Sequence, residues 1–207
     1  MADRKHLSKR QLEAQLSKLK TLEKPNLKFE QYPVSSAVAS ELLYMASFEQ
    51  NDLEGRVIDL GTGTGLLAIG AALMGAVETT GVDIDERALA IARENAGRVG
   101  AQVEWVHSDI EKINGKFDAV IMNPPYGTRT AHADTRFLEK AFQLAPVIYS
   151  IHKSATREYL VRFLTRSAWH VDQVRSMVMA IPHLFEFHEK KRGIVEVDLY
   201  RITRNPV

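Results

Sequence analysis

The chain reads as an α/β protein built on a seven-stranded, mostly parallel sheet with helices on both faces. Three observations lead there. From about residue 56 onward, short β-branched runs alternate with helix-length amphipathic segments, the pattern of parallel strands joined by crossover helices. A glycine-rich turn, Asp59-Leu60-Gly61-Thr62-Gly63-Thr64-Gly65, links the first such run to the first such helix. Acidic residues then recur where the next two runs end, at Asp83 and Asp109.

The elements follow in order. Leu7, Leu12, Leu16 and Leu19 recur at near-helical spacing, which predicts a short amphipathic helix over 7–20. Pro25 and Pro33 bracket an irregular stretch, and Val34 to Phe48 again reads as helix. Strands are expected at 56–60, 77–82, 103–107, 117–122 and 147–151. Helices are expected between them at 66–74, 86–98 and 135–144, with a further one at 156–168. A polar loop from Gly127 to Asp134 follows Pro124-Pro125. Two closing strands, 171–181 and 195–202, flank an aromatic and basic segment from His183 to Arg192. The expected organisation is one domain over 1–207 with an N-terminal helical extension to about residue 50.

Composition narrows the class. At 207 residues the chain has room for one complete α/β domain. Its 45% apolar and 26% charged residues are ordinary for a globular protein. No apolar run reaches the roughly 18 residues of a membrane span, and Met1 to His6 lacks an apolar signal core; the expected location is the cytoplasm. Without cysteine there is neither a disulfide nor a thiolate ligand, and the seven His show no metal-binding spacing. Net charge is +1, yet residues 1–30 carry eight Lys/Arg against four acids. Such a basic arm suits a phosphate backbone, although a solvated helix face accounts for the charge equally well.

The glycine turn is the strongest feature of the first half. Glycines turn the chain tightly and let its backbone approach a ligand; after a strand they mark a nucleotide-like cofactor at the carboxyl edge of the sheet. Asp83, 18 residues beyond Gly65, is placed to accept ribose hydroxyls, and Asp109 to accept from an adenine amino group. Each aspartate alone could simply cap a helix or turn; the three sites in register favour a cofactor. Dinucleotide sites read G-x-G-x-x-G over a pyrophosphate, whereas this D-x-G-x-G-x-G resembles the Rossmann-like methyltransferases. Their cofactor, S-adenosylmethionine, carries an ammonium and a sulfonium, which suits the acidic Asp59.

Asn123-Pro124-Pro125-Tyr126 ends the fourth expected strand. Two prolines explain a turn but not a tyrosine beside them. Chemistry explains all four. An exocyclic amine or amide nitrogen is a poor nucleophile because its lone pair is delocalised. Two acceptors, the Asn123 side-chain carbonyl and the Pro124 backbone carbonyl, can draw it toward pyramidal geometry. The prolines hold those acceptors in place, and Tyr126 offers a stacking face worth about 1–3 kcal/mol for a base. A base must leave the duplex to reach such a pocket.

The tetrad matches the (D/N/S)-P-P-(Y/F/W) signature of amino- and amide-directed methyltransferases. The whole chain is similar to the small ribosomal-RNA adenine-N6 methyltransferases of the methyltransferase-like-five type, class I enzymes of archaea and eukaryotes. The likeness includes Glu23-Lys24-Pro25, Glu30-Gln31-Tyr32-Pro33, Asp59-Leu60-Gly61, Asp83-Ile84-Asp85 and Val120 to Pro125. Ser150-Ile151-His152-Lys153-Ser154, Thr156-Arg157-Glu158 and Glu196-Val197-Asp198-Leu199 extend it. The resemblance implies N6-methylation of one adenosine in small-subunit ribosomal RNA. It implies a partner too, a small zinc-binding methyltransferase activator protein paired along a sheet edge. Gln31 and Val34 should contact the cofactor with Gly61, Thr64, Leu66, Asp83 and Asp109; Asp59 and Gly65 complete the expected set. Val34 stands where some relatives carry a hydroxyl residue, and Tyr126 where eukaryotic members commonly have Phe. His152, Lys153 and the segment Phe185 to Arg192 are candidate RNA contacts, or else ordinary polar turns. Other acceptors compatible with the tetrad are a protein glutamine and DNA adenine; a catalytically inactive RNA-binding subunit is the non-enzyme alternative.

Overall fold

The structure, a computed structural model, describes residues 7–23, 34–125, 133–182 and 192–204. Ser8 caps helix α1 (Lys9–Leu16), its hydroxyl accepting from the Gln11 amide while the Gln11 side chain accepts from the Ser8 amide. This reciprocal pair satisfies two otherwise orphaned donors. The helix ends at Leu16, short of the expected 20, and Ser17 to Leu19 close it as a turn. Ser35 caps α2 (Ser36–Tyr44), which widens into a π-helical turn, Met45–Glu49.

Strands and helices then alternate: β1 (Arg56–Leu60), α3 (Leu66–Leu73), β2 (Glu78–Asp83), α4 (Glu86–Val99), β3 (Glu104–His107) and β4 (Ala119–Met122). They continue with α5 (Ala133–Leu144), β5 (Val147–Lys153), α6 (Arg157–Arg166), β6 (Trp169–Pro182) and β7 (Arg192–Arg204). The sheet order is β3-β2-β1-β4-β5-β7-β6. The first five are mutually parallel, and β7 runs antiparallel between β5 and β6. Strand order reverses between β1 and β4, the position where open α/β sheets bind ligands beyond their carboxyl ends.

Alternation along each strand divides the core in two. Val57, Ile121, Tyr149 and Ile151 face α1, α2 and α3, whereas Ile58, Leu60, Val120, Met122 and Ile148 face α5 and α6. Leu12 and Leu16 of α1 are 0% and 2% exposed within the first cluster, so the N-terminal extension is part of the core on that face. Three strands are longer than expected. β5 runs on to Lys153 because β7 pairs with it there, His152 opposite Asp198 and Lys153 opposite Val197. β6 and β7 lengthen each other through their continuous antiparallel ladder.

Candidate active site

The glycine turn leaves β1 through backbone bonds. The amides of Gly61 and Thr62 both donate to the Val82 carbonyl at 2.9 Å, and the Gly65 amide donates to the Thr62 carbonyl at 2.9 Å. Gly61, Gly63 and Gly65 have φ of 71°, 56° and 87°, in the left-handed region that other residues enter at a cost. Space separates them: a side chain at Gly65 would meet Trp105 Cη2 at 2.7 Å and one at Gly61 would meet Phe137 Cε1 at 2.9 Å, whereas Gly63 has nothing within 4 Å. Gly63 is thus the open point of the turn.

Asp59 lies beneath that turn, 1% exposed. Its Oδ2 accepts from the Thr62 hydroxyl at 2.6 Å and the Ala68 amide at 3.0 Å, tying the strand to the start of α3. Its Oδ1 has no partner among the described residues. Burial pushes its pKa up to about 7. A buried carboxylate oxygen with nothing to accept is costly, and an ammonium is the chemistry that would offset that cost. The residue is therefore first an organiser of the turn, a role the sequence reading did not give it, and its open oxygen fits a cationic ligand.

Asp83, at the end of β2, accepts from the Gly63 amide at 2.7 Å and the Asp85 amide at 2.8 Å, one on each oxygen. Burial raises its pKa. Each oxygen keeps a lone pair, so the carboxylate both fixes the tip of the glycine turn and can still accept. Asp109, after β3, caps a 3-10 turn (Ile110–Lys112) through the Glu111 amide at 3.0 Å. Its Oδ1 also accepts from Arg136 Nη2 at 2.5 Å. The hydrogen bond from Arg136 chiefly holds its pKa below the usual carboxylate range. Both aspartates thus do the local capping work that was the competing explanation for them, at the edge where a cofactor is expected.

The β1–β4 register pairs Leu60 with Met122, so Gly61 and Asn123 are the next residues on two neighbouring strands. The tetrad therefore begins beside the glycine turn. Pro124 is buried, and Asn123 and Pro125 are half-buried. Val34 and Leu66 are half-buried against the first core cluster. Thr64 is half-buried, and its carbonyl accepts from Asn95 Nδ2 at 3.0 Å. Gln31, Tyr126 and the segment 183–191 lie outside the described residues, as do the side chain of Arg192 and most of the polar loop after the tetrad.

Several working residues escaped the sequence reading. Asn95, 0% exposed on α4, also exchanges hydrogen bonds with both the amide (2.9 Å) and carbonyl (3.0 Å) of Lys20. It bolts the chain beyond α1 to the glycine turn. Its signal was a polar residue on the buried stripe formed by Ala88, Leu89, Ala92 and Ala96. Trp105 lies over Gly65 and Gly81, a contact that left no local trace. Nothing local marked Arg136 either, since its partners are 27 and 25 residues away.

His152 is corrected. It is 2% exposed, bonded through Nε2 to the Ser150 hydroxyl at 2.7 Å and set edge-on to Tyr200. Burial lowers its pKa to about 4, so it is a neutral core histidine and not a surface contact for RNA. In the basic arm, Lys9 and Lys20 are paired with Glu41 and Glu94, each at 2.6 Å, so two of its charges are spent on the body of the protein.

The family model "Methyltransferase small domain" matches residues 37–146. The chain is 34% identical to the rRNA N(6)-adenosine-methyltransferase METTL5 of Danio rerio, covering 94% of this chain and 98% of the relative. It is also 34% identical to the corresponding Mettl5 of Drosophila melanogaster, covering 94% and 96%. A crystal structure of a candidate RNA methyltransferase from Pyrococcus horikoshii superposes with a TM-score of 0.89 at 37% identity, covering 97% of this chain and 99% of that one. The fold is that of the Rossmann-like methyltransferases, and the methyltransferase family to which the chain is matched uses S-adenosylmethionine as its cofactor. With near-complete coverage in both directions, the chain belongs to the METTL5 group of the methyltransferase small domain family.

Proposed function

We propose that this protein methylates N6 of an adenosine in small-subunit ribosomal RNA. The observation that supports the reading is the adjacency of Gly61 and Asn123 just beyond neighbouring strand ends, which sets the glycine turn and the start of the Asn123-Pro124-Pro125 run side by side. The likeness to METTL5 proteins over 94% of the chain favours an RNA adenosine as acceptor.

S-adenosylmethionine supplies an electrophilic methyl carbon on its sulfonium. The residues suited to hold it are Asp59, whose open oxygen fits the ammonium, Asp83 for the ribose and Asp109 for the adenine amine. Gln31, Val34, Gly61, Thr64, Gly65 and Leu66 complete the proposed site. The Asn123 side-chain carbonyl and the Pro124 backbone carbonyl accept the two N–H bonds of the target amine. Pro124 and Pro125 limit the movement of those acceptors, and Tyr126 stacks on the base. The target nitrogen would take up the positive charge as the methyl–sulfur bond breaks and a neutral thioether leaves, and it would then release its proton to solvent without a strong base. A small zinc-binding activator protein would add to an outer strand of the sheet, β3 or β6.

The test supplies labelled S-adenosylmethionine to small-subunit RNA, duplex DNA and a glutamine-containing translation factor in turn, with and without the activator. Label is expected in RNA alone; label confined to the protein substrate would sink the RNA reading. Asn123→Ala should lower turnover by about a hundredfold or more while cofactor affinity, measured by calorimetry, stays near that of the unmodified chain.

A further inference from the structure

Asp109 is held asymmetrically. Its Oδ1 takes both the Glu111 amide, at 3.0 Å, and Arg136 Nη2, at 2.5 Å. Its Oδ2 takes no hydrogen bond among the described residues. Arg136 reaches Asp109 with one nitrogen and Glu111 Oε1 with another, Nε at 2.7 Å. A planar guanidinium that grips two carboxylates fixes the rotation of each, as a lysine ammonium cannot.

The arginine is itself well anchored. It lies in the first turn of α5, where the next residue, Phe137, packs over Gly61 of the cofactor turn. One turn further on, Lys140 is 5% exposed and donates to the Glu111 carbonyl at 3.1 Å. Helix α5 thus grips the 3-10 turn that carries Asp109 at two levels, with Arg136 at the level of the carboxylate.

We propose that Arg136 is the positioning residue that makes the cofactor site read the 6-amino group of adenine: by binding Oδ1 of Asp109 it leaves Oδ2 as the oxygen presented to that amine. The inference rests on the assignment of Asp109 to the adenine amine and adds the residue that enforces it. Without the guanidinium the carboxylate can rotate about its terminal bond, because the Glu111 amide alone is satisfied by either oxygen. An acceptor that rotates freely cannot distinguish an amino donor from a carbonyl at the same ring position as well as a fixed one can.

The test compares binding of S-adenosylhomocysteine with that of S-inosylhomocysteine, which carries a 6-oxo group in place of the amine. Calorimetry is done on the full-length chain and on Arg136→Ala, Arg136→Lys and Asp109→Ala, each checked for an intact melting transition. The unmodified chain should favour the 6-amino ligand by about tenfold or more, the worth of one charge-assisted hydrogen bond. Arg136→Ala should bring the ratio to within about threefold of parity, chiefly by weakening the 6-amino ligand. Arg136→Lys, which keeps the charge but not the fork, should fall between. A ratio left unchanged in Arg136→Ala and Arg136→Lys while Asp109→Ala abolishes it overturns the positioning role and leaves the Asp109 assignment standing. Equal weakening of both ligands by Arg136→Ala shows a merely structural residue and also overturns it. A ratio that survives Asp109→Ala overturns the assignment itself, and the proposal with it.

Discussion

Asn95 shows how much one buried side chain can organise. Its amide uses three hydrogen bonds to join Lys20, 75 residues away in sequence, to Thr64 in the glycine turn. Replacing it with alanine would strand an amide and two carbonyls in a part-buried position. Each unsatisfied group costs about 1–3 kcal/mol where water cannot reach it. Asn95→Ala is therefore expected to lower the urea midpoint by the equivalent of about 2–4 kcal/mol at an unchanged slope. Asn95→Asp, which keeps the acceptor but loses both donors, should recover only part of that. A midpoint within error of the unmodified chain in Asn95→Ala would show that water replaces the bridge.

At the scale of elements, the glycines of the turn after β1 differ in their surroundings. Gly63 and Gly65 both have positive φ, at 56° and 87°, but only Gly65 is crowded, with Trp105 Cη2 at 2.7 Å from the Cβ that alanine would add. Gly63→Ala should cost the backbone term alone, about 1–2 kcal/mol. Gly65→Ala adds displacement of the indole and should shift the Trp105 fluorescence, a change that Gly63→Ala should not produce. The opposite result would show that the turn yields before the indole moves.

The C-terminal strands are joined to the carboxyl end of β5 by one carboxylate. Asp198, 0% exposed, accepts from the Ser154, Ser176 and Tyr200 hydroxyls at 2.8–2.9 Å and from two nitrogens of Arg157 at 2.6 and 2.7 Å. Burial pushes its pKa up, but these hydrogen bonds outweigh it and hold the group at about 2. The segments around Ser154, Arg157 and Asp198, which on the sequence carried only a family likeness, meet at this one buried charge. Its contribution to stability is present above the usual carboxylate pKa and is lost as pH falls toward 2. Asp198→Asn should flatten that acid limb in urea titrations between about pH 4 and 2.

For the whole molecule, two buried groups oppose each other over one pH window. Asp59 titrates near 3.8 unfolded and about 7 folded, so between those values the unfolded chain releases a proton that the native chain keeps, and stability falls as pH rises. His152 titrates near 6.5 unfolded and about 4 folded. Its contribution is present above 6.5 and is lost as pH falls toward 4, so stability rises with pH. Each slope approaches 1.4 kcal/mol per unit at full effect, and from about pH 4 to 6.5 they largely cancel. Urea titrations of Asp59→Asn should therefore show stability climbing with pH across that window. His152→Gln should show the reverse. Two variants with parallel profiles would contradict the opposition.

What the sequence determined by itself was everything written in short range. Short β-branched runs placed each of the seven strands to within a few residues, because a strand buried on both faces, as β1, β4 and β5 are, is written as a local apolar run. The glycine turn, Asp83, Asp109 and Asn123 to Pro125 were legible as neighbours of one sheet edge because each stands at or just after the end of a strand. Only the tertiary structure decided the rest. β7 lies between β5 and β6, a pairing that lengthens all three strands and that no local pattern encodes. Apart from Tyr200 beside Asp198, the Asp198 hub, the Asn95 bridge, the Trp105 contacts and the Arg136 grip on Asp109 join residues 22 to 75 positions apart. Such contacts depend on where crossover connections bring strand ends together, and each partner alone looks like an ordinary polar or aromatic residue. The same holds for His152, whose place at a strand end suggested a surface group until its antiparallel neighbour was known to cover it.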